Sequence, residues 1–73
     1  MDVHNLVKMA NQIGSFFETM PDREQAIEDL GMHLRRSWET RMRVAFMKYI
    51  EEENGAGLSE IVLEAVKRHK AMV

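Results

Sequence analysis

His33-Leu34-Arg35-Arg36-Ser37-Trp38-Glu39-Thr40-Arg41-Met42-Arg43 is the stretch on which the fold turns. It holds the single Trp of the chain and four of its six Arg. N-terminal to it, Ala26, Ile27, Leu30, Leu34 and Trp38 share one helical stripe, with Glu24, Gln25, Glu28, Asp29, Arg35 and Arg36 facing away. C-terminal to it, Met42, Ala45, Phe46, Tyr49 and Ile50 form a second stripe. On one continuous spiral of 3.6 residues per turn the two stripes are rotated by roughly 100° from each other. A straight helix over 22–53 would have to bury two different faces. A corner near residues 37–40 resolves this, with Ser37 or Thr40 as the capping residue. No Gly or Pro enforces the break, so it is read from the change of face alone.

The same pattern reads outward in both directions. Upstream, Val3, Leu6, Val7, Met9, Ala10, Ile13, Phe16, Phe17 and Met20 fall in one half of a helical wheel. Gly14 lies on that face, where it lets another helix come close at a cost of up to about 1 kcal/mol against Ala. Met20-Pro21-Asp22 ends this helix, since Pro disfavours helical geometry in the residue before it and suits the first turn of a new one. Either Thr19 or Asp22 caps the second helix, the latter with Gln25 as a capping box. Downstream, Asn54-Gly55-Ala56-Gly57 is a helix stop and loop. Ser59 is placed to cap a last helix whose buried stripe is Ile61, Val62, Ala65, Val66, His69, Met72 and Val73, with Glu64 and Arg68 as an i,i+4 pair. The expectation is an all-α single domain over 1–73, a small bundle of four short helices at about 2–19, 22–37, 40–53 and 59–72.

Seventy-three residues bury only about 60% of the surface the unfolded chain exposes, so such a domain is marginal alone. With no Cys it has neither a disulfide nor a thiolate metal site to help it. The net charge of −2 argues against a general nucleic-acid binder. No apolar run approaches the roughly 18 residues of a membrane span. The N-terminus lacks a signal-peptide pattern, and a cytoplasmic location is expected.

A catalytic reading finds no nucleophile–base pair by spacing. His4, His33 and His69 are far apart, and His69 fits a core position better than a ligand set. Glu51-Glu52-Glu53 reads as a solvated helix end, and Gly55-Ala56-Gly57 is too short for a phosphate-binding fingerprint. Around Trp38, two readings compete. The Arg side chains either snorkel over core edges around a buried Trp, or form a contact site, because Trp and Arg are enriched in interface hot spots. Met32, Val44, Met47 and Leu63 favour the second. Each is apolar and lies off its helix's stripe, as surface covered by a partner would be. The expected partner-binding set is therefore Trp38, Arg35, Arg36, Arg41, Arg43, Met32 and Met47. Exposed Met also leaves room for a self-dimer when the partner is missing. The competing class is a free-standing regulator that binds nucleic acid through a helix-turn-helix-like corner.

The chain resembles the delta subunit of NAD-dependent, molybdenum-containing formate dehydrogenases. The resemblance is carried by Leu6-Val7-Lys8-Met9-Ala10-Asn11-Gln12-Ile13-Gly14 with Phe16-Phe17, by Pro21-Asp22, by His33-Leu34-Arg35-Arg36 with Trp38, by Arg41-Met42-Arg43 and by Gly55-Ala56-Gly57-Leu58. The family pattern has an aromatic residue before the Trp and Asp-Pro after it, where this chain has Ser37 and Glu39-Thr40. The resemblance implies an accessory subunit or maturation factor without catalytic residues or cofactors of its own. The bis-molybdopterin guanine dinucleotide and iron–sulfur clusters are then expected in the large subunit it binds, with flavin and NAD on other subunits.

Overall fold

A computed structural model describes residues 2–69, and within them the chain forms four α-helices. These are α1 (Val3–Phe17), α2 (Arg23–Ser37), α3 (Thr40–Glu53) and α4 (Glu60–Arg68). The all-α expectation is met, with the ends of α1, α2 and α3 within two residues of those expected. The last helix stops at Arg68 with His69 as its C-cap, and the expected burial of Met72 and Val73 lies outside the described residues.

Asp2 starts α1 by accepting a hydrogen bond from the His4 backbone N–H at 2.9 Å. At the other end the Thr19 hydroxyl donates to the Phe16 carbonyl at 2.7 Å. Thr19 therefore closes α1, and the cap of α2 falls to Asp22, which accepts from the Gln25 N–H at 3.2 Å. The capping box is only half built: Gln25 Nε2 donates forward to Asp29 Oδ1, and the Gln25 side chain accepts no hydrogen bond from the Asp22 N–H.

Leu6, Ala10 and Gly14 are the buried residues of α1, one on each successive turn. Val7, Ile13 and Phe17 flank that line and are partly buried. The apolar half-wheel is thus broader than the seam it builds. Met9 is 39% exposed and Phe16 is 69% exposed, contrary to the stripe read from the sequence.

Helix α1 packs against each of the other three, α2 makes its broadest contact with α4, and α3 packs mainly against α1. Ala26, Ile27, Leu30, Leu34 and Trp38 are all buried, as their stripe requires. Two glycines permit the close helix approaches. A Cβ on Gly14 would stand 2.9 Å from Val62 Cγ2 and 3.2 Å from Ile61 Cγ2. One on Gly31 would stand 2.7 Å from His69 Cγ. Both gaps are too short for ordinary carbon contacts. The chain from α3 to α4 turns through left-handed backbone at Asn54, Gly55 and Gly57. The Asn11 side chain holds this loop from both sides: its Nδ2 donates to the Gly57 carbonyl, and its Oδ1 accepts from the Ser59 N–H, each at 2.9 Å.

Two local expectations are corrected. Ser59 occupies the N-cap position of α4, but its hydroxyl makes no cap hydrogen bond and is buried without a partner. Arg68 forms its ion pair with Glu24 across the α2–α4 contact, not with Glu64 one turn back. That hydrogen bond to Glu24 holds the Arg68 guanidinium above the usual arginine range.

Candidate partner-binding corner

The turn between α2 and α3 is made by two extended residues. Trp38 (φ −91°, ψ 137°) still donates its N–H to the Leu34 carbonyl, and Glu39 (φ −66°, ψ 156°) leads into α3. Neither Ser37 nor Thr40 caps; Glu39 holds the N-cap position and offers no side-chain bond. What sets the corner is one arginine. Arg43 Nη1 donates to the Arg35 carbonyl at 3.0 Å and Nη2 donates to Thr40 Oγ1 at 3.0 Å. An orphan carbonyl of the last turn of α2 is thereby satisfied by a cation, which the helix macrodipole favours.

Trp38 does not lie on the surface. It is 5% exposed and meets Phe46 edge-on, with ring centroids 5.1 Å apart. Phe46 is fully buried and is the one buried residue of α3. The Trp38–Phe46 pair is therefore the hydrophobic hinge pin of the corner, worth about 0.5–1.5 kcal/mol beyond its area burial. The Trp38 ring is thus covered, as its place on the α2 stripe requires, and Arg43 is engaged within the chain. The expected set thus divides in two. Trp38 and Arg43 shape the corner, while Arg35, Arg36 and Arg41 are exposed and their side chains make no hydrogen bond or ion pair with the described residues.

The apolar members divide as well. Met32 is 40% exposed, in the polar face where the sequence put it. Met47 is partly buried against the core and also lines a shallow recess with Val44, Lys48 and Glu51. Leu63, expected to face outward, is half-buried and lies over Gly55, where a Cβ would stand 2.5 Å from Leu63 Cδ2.

Two aromatic contacts near the corner escaped the sequence reading. Phe17 and His33 place their ring centroids 5.7 Å apart, and both line an open depression with Met32 and Arg36. Phe16 stands beside it, edge-on to Phe17 at 5.4 Å. The signal was present in the doubled Phe16-Phe17, since a helix cannot bury both of two adjacent side chains on a narrow seam.

His69, expected in the core, is largely covered. Its Nε2 lies 3.4 Å from Glu28 Oε2 without hydrogen-bond geometry. No group of three or more His, Asp or Glu side chains converges among the described residues. No described helix is long and apolar enough to cross a membrane.

By fold and surface this is a small all-α domain with a basic, aromatic corner. The family model of the NADH-dependent formate dehydrogenase delta subunit, FdsD, matches residues 5–66, and the chain belongs to that family. The match spans α2 and α3 whole, and all but the first two residues of α1 and the last two of α4. Neither a curated protein nor a solved structure matches it.

Proposed function

We propose that this chain is a non-catalytic accessory subunit or maturation factor of an NAD-dependent formate dehydrogenase, and that it docks on the molybdenum-containing large subunit in the cytoplasm. Membership of the delta-subunit family supports a partner subunit. The observation that carries the docking reading is the exposure of Arg35, Arg36 and Arg41, unpaired among the described residues, beside Met32. Arg is enriched at interfaces because its planar fork pairs bidentately with carboxylates at modest desolvation cost.

The donor chemistry of the chain supports leaving the cofactors to its partners. A sequence without Cys has no thiolate for an iron–sulfur cluster, and no converging His or carboxylate group is present among the described residues. The nucleic-acid alternative is weakened by the engagement of Arg43 and by Glu51, Glu52 and Glu53, all exposed at the end of α3.

Co-expression with the other dehydrogenase subunits, with an affinity tag on this chain, tests the proposal. The large subunit is expected in the eluate. Reversing Arg36 and Arg41 to Glu is expected to remove it while far-ultraviolet circular dichroism stays unchanged. An eluate without the large subunit for the unaltered chain would sink the reading.

A further inference from the structure

Helix α3 packs mainly against α1, and Phe46 is its one buried residue. The face away from Phe46 is open. Arg41, Val44, Lys48 and Glu51 recur along it at alternating spacings of three and four, which makes one helical stripe, and all four are exposed. Val44 is 52% exposed and sits in a shallow recess of about 230 Å³ that Met47, Lys48 and Glu51 also line. The charges of the stripe are ordered. Arg41 opens it, and Glu51 closes it about 15 Å further along the axis. Neither side chain has an ion pair among the described residues. Both also stand at the wrong end of their own helix. The macrodipole favours acids in the first turn and bases in the last, and α3 has neither.

We propose that this face pairs with the same face of a second copy, α3 against α3, in a two-fold antiparallel dimer. Turning one copy end for end sets Arg41 of each against Glu51 of the other. It sets Val44 against the aliphatic stem of Lys48, whose ammonium reaches out to water. The partner's α3 then also presents its opposed dipole, which offsets the misplaced charges. Charge complementarity selects the occupant. A stripe that changes sign from one end to the other matches itself when reversed, whereas a parallel pair would oppose like charges. One helix pair about 21 Å long buries less than the roughly 1,600 Å² of a standard interface. The dimer is therefore weak, concentration-dependent and loosened by salt. The inference goes beyond the accessory-subunit reading and does not depend on it, because it concerns the chain on its own.

Sedimentation of the isolated full chain, from low micromolar to millimolar concentration, tests the pairing. The mass is expected to rise toward twice that of one chain. Arg41→Glu and Glu51→Arg are each expected to weaken association about tenfold, since each turns two attractions into two repulsions. Both changes agree with the α3 macrodipole, so the variants keep their fold, which circular dichroism checks. Lys67→Glu, an equal change of charge at an exposed position on α4, is expected to leave association unaltered. The decisive sample is an equimolar mixture of the two α3 variants. Each repels its own copy, but a mixed pair restores both contacts, so the mixture is expected to associate as the unaltered chain does. A chain that stays monomeric throughout the series would overturn the pairing. So would a dimer that both reversals leave intact, which would lie on another surface. A mixture that fails to associate would show that the two charges do not meet, and equal weakening by Lys67→Glu would reduce the effect to net charge; either result also sinks the proposal.

Discussion

Gly31 sits under the His69 imidazole, so its missing side chain is part of the α2–α4 contact. In an exposed helix Gly→Ala would stabilise by about 1 kcal/mol. Here the added methyl meets a ring, and overpacking of this kind costs about 1–3 kcal/mol. Gly31→Ala should therefore lower stability to urea, and the sign should reverse when His69→Ala removes the ring. The double-mutant cycle measures that coupling directly. At the corner, Trp38 and Phe46 depend on each other. Phe46→Ala should cost about 3–5 kcal/mol. A domain of this length has roughly 4–11 kcal/mol in all, so the variant should lose a large share of it, seen by calorimetry as a much lower Tm. In the unaltered chain, the emission of the sole Trp should be that of a covered indole, resistant to iodide.

At the scale of the elements, α3 is the least supported. It buries one residue fully, packs mainly against α1, and starts without a side-chain cap. Its amides should exchange with deuterium ahead of those in α2 and α4, whose facing residues are fully buried. Glu39→Asp supplies the absent cap and should stabilise the domain by about 0.5–1 kcal/mol, read from the urea midpoint. Much of this arrangement was legible in the sequence. Pro21 and the Asn54-Gly55 pair punctuate the chain, and the 3.6-residue period places Leu30, Leu34, Phe46 and Val62 inside. The α2–α3 corner was legible too, through the rotation of the buried face. The misreadings share a physical cause. A helical wheel assigns each residue a direction but not the width or length of the surface it packs against. Phe16 lies at the edge of the apolar half-wheel, outside the line that Leu6, Ala10 and Gly14 bury. Arg68 finds Glu24 on another helix, which spacing along the chain cannot disclose. The Arg residues around Trp38 fit a buried ring and an exposed ring equally well, and only the position of Phe46 decides between them.

At the scale of the whole molecule, a small core coexists with an aromatic and cationic face left open to water. The same face should link stability to assembly. A partner that binds only the folded chain adds RT ln(1 + [L]/Kd), about 2.7 kcal/mol at a hundredfold excess over Kd. For a domain of this size that is a rise of roughly 10–20 °C in Tm. Thermal scans of this subunit titrated with the large subunit should show the rise, and the variant with Arg36 and Arg41 reversed to Glu should not.

The single side-chain amide of Asn11 has a consequence for the joint it fastens. Deamidation replaces its nitrogen by oxygen, a change of about one dalton in mass. The remaining oxygen would still accept from Ser59, but the Gly57 carbonyl would face a second acceptor where it now has a donor. One covalent lesion would thus unfasten the loop that joins α3 to α4, leaving a polar group unsatisfied at a cost of about 1–3 kcal/mol. Asn11→Asp, which makes the same change, should give a more acidic and more protease-sensitive chain, nicked near Ala56.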